Sequence, residues 1–358
     1  MTMMELQTKI PVEPSALRLT HNRRVMLVGS CFTESVGGRL VDSGFDVMLN
    51  PFGILYNPLS MAECLRRCLA CEEVTERELV CHNGLYHSWL HHGSFSHADM
   101  RQCLDGCNAR LREAHAFLRG GCTLMLTFGS AYAYYRVAAP EAGPVANCHK
   151  VPASSFRKQL LTVDEVVEAY SSLIPSECDV VFTVSPIRHW ADTPHGNQLG
   201  KATLLLATER ILSLLRDRGT QTSYFPSYEI VMDELRDYRF YDVDMLHPSP
   251  LAVDIIWERL VDTYMDAATR QRAKKYRQLH KMESHRPLFP DSEAYRQHLV
   301  RIEELRQELA SSASAEAQSS PPLIYSINTT RPDHPTTRMS SRPTRTKSSM
   351  FSVRSELR

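Results

Sequence analysis

Two short stretches of the sequence hold side chains whose types and spacing suit nucleophilic chemistry. In VMLVGSCFTESVGGRL (residues 25–40), an apolar run stops at Gly29, Ser30 and Cys31, and the periodicity of an amphipathic helix begins directly afterwards. Gly29 permits a tight turn, and the first N–H groups of a helix have no intrahelical partner. Ser30 is therefore predicted to expose a hydroxyl beside backbone donors that can stabilise an oxyanion.

A serine nucleophile needs a base, and DVDMLHPS (residues 242–249) supplies one. Asp244 and His247 are three residues apart, so on a turn the carboxylate can orient the imidazole while the other ring nitrogen faces outward. Acyl transfer requires this arrangement of a base and its orienting acid. A Gly–Ser turn and a lone D-x-x-H each occur often by chance, so neither motif alone predicts catalysis. Their predicted placement at the same edge of the sheet favours it.

Cys31 is a rival nucleophile, because thiols are activated at the N-termini of helices. Ser30 is preferred, since adjacent residues leave a turn in different directions and the D-x-x-H partner commonly accompanies serine. Most of the ten cysteines are expected to be reduced core residues. The C-x-x-C pair of Cys68 and Cys71 follows no strand pattern, so it is not predicted to be a redox site.

Apolar runs and helical periods alternate along the chain. The predicted strands span residues 25–28, 46–49, 123–128, 180–184 and 222–225, and the predicted helices span residues 33–41, 59–69, 100–118, 163–173, 198–215 and 251–265. This alternation predicts right-handed βαβ crossovers and an α/β fold. The expected architecture is a three-layer α/β/α sandwich with a flavodoxin-like, mostly parallel five-stranded sheet.

The loops at the carboxyl ends of parallel strands form the ligand crevice of such a sheet. Arg188 and His189 follow the fourth predicted strand and are candidates to bind an anionic or polyhydroxyl substrate, with pairing of Arg188 to a carboxylate as the alternative. Two long connections, residues 81–97 and 132–156, are predicted to be insertions near the site. They carry two further substrate-binding candidates, His92 and His149.

No metal or cofactor is predicted. The first insertion is rich in histidine, and His87 and His91 have the i, i+4 spacing of a zinc pair. No carboxylate cluster or cysteine pair accompanies them, which argues against zinc.

Composition indicates a globular region followed by a different tail. Lys plus Arg and Asp plus Glu both number 41, so nothing indicates a bulk nucleic-acid binder. Residues 1–24 are predicted to be a lead-in, 25–266 the catalytic domain, 267–310 a peripheral charged helical arm, and 311–358 a disordered basic tail rich in Ser, Thr and Pro.

The first residues do not have the pattern of a signal peptide, and no apolar stretch is long enough for a membrane span. The expected location is therefore the cytoplasm, with no membrane partner. The oligomeric state stays open.

Several ordered motifs resemble the GSCFA domain family of bacterial proteins, which is named after a Gly-Ser-Cys-Phe-Ala signature. They are VGSCFTE, NPFGILYNP, VANCHKVP, FTVSPIRHWADTPHGNQLGKATLLLA and DMLHPSPLAVDIIWE, and Thr33 stands where the signature has alanine. The resemblance covers residues 25–265. That family is similar in turn to the SGNH (GDSL-like) hydrolases, which are three-layer α/β/α esterases and acyltransferases with a Ser-His-Asp triad. The resemblance implies no cofactor.

The resemblance also implies roles for individual residues. Ser30 would be the nucleophile, because Gly29-Ser30 stands in the place of the Gly-Asp-Ser motif with the acidic residue missing. Asp244 and His247 would match the closing D-x-x-H. Gly53 would match the glycine of the second SGNH block, and its N–H would join that of Ser30 in the oxyanion hole.

The third SGNH block is where the resemblance fails. The usual Gly-x-Asn is replaced by Gly129-Ser130-Ala131, so the amide donor of the oxyanion hole is absent. Asn147 is a candidate replacement from the second insertion. A role for this side chain in shaping its own loop is the alternative.

The predicted function is an SGNH-like serine esterase or acyltransferase that acts on small acyl esters, with carbohydrate as the carrier that the resemblance suggests. Ser30 would attack the ester carbonyl, His247 would shuttle the proton and Asp244 would hold the ring. The main alternative is a non-catalytic module that binds a glycan or an anion through Arg188 and His189. A third possibility is an interaction protein that acts through its charged arm.

Overall fold

The computed structural model describes residues 8–317, and the described residues up to Ser311 belong to one compact unit. The strands are β1 (Val25–Gly29), β2 (Val47–Leu49), β3 (Leu79–His82), β4 (Leu85–Ser88), β5 (Thr123–Phe128), β6 (Tyr132–Arg136), β7 (Pro144–Val145), β8 (Phe156–Leu160), β9 (Asp179–Val184) and β10 (Thr222–Tyr224). The predicted disordered tail lies, from residue 318 onward, outside the described residues.

Helices lie between most strands of the central sheet and after the last one. They are α1 (Cys31–Asp42), α2 (Pro58–Ala70), α3 (Met100–Leu118), α4 (Val163–Tyr170), α5 (Pro194–Asp217), α6 (Ser227–Glu229), α7 (Pro250–Tyr264), α8 (Ala267–Glu283) and α9 (Glu293–Ala317). Within residues 8–317, no helix is long and apolar enough to cross a membrane.

The central sheet has five parallel strands in the order β10-β9-β5-β1-β2. The strands are nearly continuous apolar runs because both faces of the sheet are covered. In β1, Met26 and Val28 pack into a cluster with α2 to α5, whereas Val25 and Leu27 pack into a second cluster with α1 and α7. The predicted three-layer α/β/α sandwich with a flavodoxin-like sheet is therefore confirmed.

The two long connections form secondary structure of their own outside the central sheet. The first contains the antiparallel pair β3–β4, and the second contains an antiparallel sheet in the order β7-β6-β8. They contact each other, because the N–H of Ala146 donates to the carbonyl of Trp89 at 2.8 Å.

The predicted arm is helical. Its first helix, α8, contributes Ala273 to the cluster that includes α1 and α7, and Tyr276 packs against Gly44 after α1. Lys275 of α8 forms an ion pair with Glu308 of α9 at 2.6 Å. Residues 267–283 therefore cover the outer face of the α1 layer.

Candidate active site

The turn between β1 and α1 is held by close backbone packing. Gly29 has φ +156°, and a Cβ atom there would lie 2.4 Å from the carbonyl oxygen of Thr127 in β5. Its N–H donates to Asn50 Oδ1 at 3.0 Å. Only glycine allows this approach, so the turn that carries residues 30 and 31 is fixed between β5 and the loop after β2.

Ser30 is the N-cap residue of α1, but its side chain makes no capping hydrogen bond. Its hydroxyl donates instead to Ser185 Oγ at 3.1 Å, and both serines are fully buried. This bond joins the ends of β1 and β9. The structure contradicts the prediction that Ser30 is the nucleophile, because its hydroxyl is shielded from solvent and is committed to Ser185.

The imidazole of His247 faces Cys31. The distance between His247 Nε2 and Cys31 Sγ is 3.5 Å, and the thiol is partly exposed at the first position of α1. His247 Nδ1 lies 2.5 Å from Asp244 Oδ2. The predicted acid and base therefore face Cys31, the rival nucleophile, rather than Ser30. Asp244, His247 and Cys31 follow one another in the arrangement of a catalytic triad.

The Asp244 carboxylate is held by its own turn. Oδ1 accepts hydrogen bonds from the N–H groups of Leu246 and His247, each at 2.9 Å. These backbone bonds, together with the bond to the imidazole, lower the pKa of Asp244 to about 2. Met245 takes a left-handed φ of +60° to close the turn. A carboxylate that stays ionised in this position orients the ring of His247.

The surroundings of Cys31 favour the protonated thiol. Burial raises the pKa of Cys31 above its usual value, and the nearby carboxylates of Glu34 and Asp244 raise it further. The backbone N–H groups of Cys31 and Phe32 oppose this rise by hydrogen bonding to the sulfur. Deprotonation of the thiol therefore needs a base, and His247 lies within reach.

Of the two backbone N–H groups predicted for the oxyanion hole, those of Ser30 and Gly53, the N–H of Gly53 is already hydrogen bonded. Gly53 N donates to the carbonyl oxygen of Asn50 at 2.7 Å inside a tight turn, which contradicts its predicted role. Gly53 has φ +76°, and a Cβ atom there would lie 2.3 Å from Cβ of His92. His92 itself caps the turn that follows it, since Nδ1 accepts from the N–H of Ser94 at 3.2 Å.

The structure does not place Asn147 and His149, the two candidates of the second insertion, in their predicted roles. Asn147 Oδ1 accepts from the N–H of His149 at 2.8 Å, so Asn147 shapes its own loop, which is the alternative role. His149 is buried, and its Nε2 bonds the carbonyl of Ser88 at 2.8 Å. Burial lowers the pKa of His149 to about 4. This imidazole joins the two insertions, which contradicts its predicted role in substrate binding.

His189 lies beside Gly129, the residue that follows β5. A Cβ atom on Gly129 would lie 3.4 Å from His189 Nε2, and the edge of the ring meets Tyr56 with the ring centroids 5.5 Å apart. Burial lowers the pKa of His189 to about 4, so the ring is neutral at physiological pH. Among the described residues, its buried Nε2 has no hydrogen-bond partner.

Lys201 is a functional candidate that sequence reasoning missed. It is buried in α5, and its Nζ donates to the carbonyls of Gly129 and Ser185, each at 2.7 Å. Burial lowers the pKa of Lys201 to about 7. The sequence feature that could have revealed it is a lysine within the apolar part of the segment HGNQLGKATLLLA. A lysine is rarely buried without a specific partner, so a lysine at such a position indicates a polar contact inside the protein.

Arg188 lines a groove of about 610 Å³ that reaches the turn formed by Asp244, Met245 and Leu246. The predicted alternative, a pairing of Arg188 with a carboxylate, is not found among the side chains of residues 8–311. Within the same range, no group of three or more His, Cys, Asp or Glu side chains could hold a metal ion. His87 Nδ1 forms a hydrogen bond with the hydroxyl of Ser96, and His91 Nδ1 forms one with the hydroxyl of Ser88.

Comparison with known proteins places the chain in a family. A search of curated protein sequences finds no match. Among solved structures, the Clostridium thermocellum family 3 carbohydrate esterase matches with a TM-score of 0.31 and 10% sequence identity, over 70% of this chain and 98% of that chain. The family model of the GSCFA family matches residues 24–260. Because this match spans more than half of the sequence, the chain belongs to the GSCFA family.

Proposed function

We propose that this protein is a cysteine-dependent acyl hydrolase or acyltransferase, with Cys31 as the nucleophile, His247 as the general base and Asp244 as the residue that orients the ring. The observation that carries the proposal is the line of three side chains, with 2.5 Å from Asp244 to His247 and 3.5 Å from His247 to Cys31. Nucleophile, base and orienting acid in hydrogen-bonding order are the signature of acyl transfer through a covalent intermediate.

The reaction proceeds in two steps. His247 Nε2 takes the thiol proton while Cys31 Sγ attacks the ester carbonyl, and the tetrahedral intermediate expels the alcohol, which takes that proton from His247. The product of this step is a thioester on Cys31. Water or an acceptor hydroxyl, deprotonated by His247, then attacks the thioester carbonyl, and the thiol leaves with the proton restored.

The N-terminus of α1 supplies the electrostatic stabilisation. The N–H groups of Cys31 and Phe32 lower the pKa of the Cys31 thiol, so they favour the thiolate that attacks the ester. A helix N-terminus favours an anion through its unpaired N–H groups and its dipole. Small acyl esters, with carbohydrate as the carrier, are the proposed substrates.

A non-catalytic binding module is the second candidate. It is favoured by the loss of one predicted oxyanion donor, since the N–H of Gly53 donates to the carbonyl oxygen of Asn50. Removal of one oxyanion donor lowers kcat by about 100- to 1000-fold in a serine protease. A binding module would form no acyl-enzyme with any ester.

The test compares two neighbouring residues. Hydrolysis of p-nitrophenyl acetate is measured for the unchanged protein, Cys31→Ala and Ser30→Ala. Cys31→Ala is expected to lower kcat by at least about 1000-fold, because the nucleophile is lost. Ser30→Ala is expected to keep kcat within about tenfold while it destabilises the fold by about 1 kcal/mol, because it loses only the hydrogen bond to Ser185.

Circular dichroism of both variants controls for folding. Loss of turnover in folded Ser30→Ala together with retention in Cys31→Ala would contradict the proposal. A folded, unchanged protein without turnover on any short p-nitrophenyl ester would favour the binding module.

A further inference from the structure

The groove beside the catalytic turn is built from several segments of the chain. Asp244, Met245 and Leu246 bring the catalytic turn to one part of it. The rest of its lining includes Arg188, Trp190, Arg236 and Tyr238. Because Asp244 holds His247, a molecule in this groove lies next to the proposed acid–base pair.

Two guanidinium groups of the groove lack a charged partner. Arg188 Nη2 has a contact of 3.5 Å with the sulfur of Met232, which is a weak acceptor, and Arg236 Nη2 lies 3.4 Å from the hydroxyl of Thr8. Among the described side chains, residues 8–311, no carboxylate lies within ion-pair distance of either group. Arginines normally engage carboxylates or phosphates where these are within reach, because the planar fork of N–H donors matches two oxygens.

Other arginines close in sequence are paired. Arg259 forms an ion pair with Glu234 at 2.7 Å, and Arg239 lies 3.8 Å from Asp237. The carboxylate of Asp237 also accepts from the N–H of Arg239 at 3.0 Å. With Asp244 engaged by His247, the carboxylates that line the groove are occupied, and the charge left without a partner is positive.

The groove also presents exposed aromatic surface. Trp190 is 53% exposed and Tyr238 is 79% exposed, although large aromatic side chains are normally buried to a greater extent. Flat aromatic faces beside a cation suit a substrate that combines an apolar or ring-shaped body with a negative group.

We propose that the substrate carries an oxyanion group, a carboxylate or a phosphate, which Arg188 and Arg236 bind in this groove while the acyl carbonyl reaches Cys31. This inference rests on the proposed function for the position of the reacting carbonyl. The binding of the anion itself needs only the groove, so it can be tested without turnover.

The binding test uses the full chain with Cys31→Ala. Glutarate and inorganic phosphate are titrated separately by isothermal calorimetry, which tells the two sources of the oxyanion apart. At least one is expected to bind saturably, and Arg236→Gln or Arg188→Gln in the same background is expected to weaken binding by about tenfold or more, as loss of a charge-assisted pair does. Arg101→Gln, which changes an exposed arginine of α3, is the control and is expected to leave the affinity within about twofold.

The kinetic test compares mono-p-nitrophenyl glutarate with p-nitrophenyl pentanoate, which has a methyl group in place of the carboxylate. The unchanged protein is expected to favour the glutarate ester by about tenfold or more in kcat/KM, and Arg236→Gln to remove most of this preference through KM. The rate with the neutral ester reports on Cys31 chemistry alone.

The outcomes separate the two proposals. Binding of glutarate or phosphate that depends on Arg188 and Arg236 supports the anion site even if no ester is turned over. Absence of saturable binding of both anions, or equal weakening by Arg101→Gln, overturns the anion site even if the neutral ester is hydrolysed through Cys31.

Discussion

At the scale of single residues, the Asp244 carboxylate determines which nitrogen of His247 faces the nucleophile. Its acceptor oxygen keeps the proton on Nδ1, so that Nε2 is free to take a proton from Cys31. The pKa of Asp244 is lowered to about 2, so the carboxylate is ionised at a pH well above that value. At physiological pH the contact that orients His247 therefore carries its negative charge.

The variant Asp244→Asn tests this role. An amide in place of the carboxylate removes the negative charge beside the imidazole and can favour the wrong tautomer, so kcat for p-nitrophenyl acetate is expected to fall by about 100-fold or more with little change in KM. A kcat within twofold of the unchanged protein would show that Asp244 does not orient the base.

The choice between Ser30 and Cys31 shows what the sequence reveals at this scale. The spacing of Asp244 and His247 predicted an acid–base pair, because three residues on a turn bring the two side chains together. Adjacent side chains do leave the turn in different directions, as expected. Which of them points inward depends on a contact between the loops that follow β1 and β9, where Ser185 accepts the Ser30 hydroxyl across the end of β5. No sequence pattern encodes that contact.

At the scale of elements, Lys201 ties the carboxyl ends of β5 and β9 to α5. Its Nζ donates to the carbonyls of Gly129 and Ser185 in a fully buried position. The variant Lys201→Met leaves both carbonyls without this donor, and the expected loss in the free energy of unfolding is about 2–4 kcal/mol.

Urea unfolding followed by circular dichroism measures this loss. Lys281→Met, which changes an exposed lysine of α8, is the control and is expected to stay within about 0.5 kcal/mol of the unchanged protein. Equal effects of the two substitutions would mean that the Lys201 bonds add nothing to the joint between β5 and β9.

The elements themselves were largely predictable. Strands β5 and β9 are apolar runs because both faces of the sheet are buried, and helix α3 was predicted with both of its ends correct. The insertions were predicted as long connections, but their strands were not. Strand β8 (Phe156–Leu160) is half-buried and polar, and it gains its order from pairing with β6 rather than from a hydrophobic face.

At the scale of the whole molecule, buried neutral imidazoles make the fold sensitive to acid. Burial lowers the pKa of His91 to about 3, and the pKa values of His149 and His189 to about 4. In the unfolded chain these groups bind protons near pH 6.5. As the pH falls below about 6.5, the unfolded state binds more protons than the folded state, so stability is lost between about pH 6.5 and 4.

The expected loss is at most about 1.4 kcal/mol per pH unit for each of the three imidazoles. Urea unfolding at about pH 7, 6 and 5 measures it, and His149→Gln is expected to flatten the dependence. A free energy of unfolding that is equal or higher at pH 5 than at pH 7 would contradict the neutral state assigned to these side chains.

The central claim is that acyl transfer passes through Cys31, and the most direct measurement is the site of acylation. The protein is mixed with p-nitrophenyl acetate, quenched in acid and digested, and the peptide that spans residues 25–40 is fragmented in a mass spectrometer. The account predicts an acetyl group on Cys31 that neutral hydroxylamine removes, as a thioester requires. An acetyl group on Ser30 that survives hydroxylamine would contradict it.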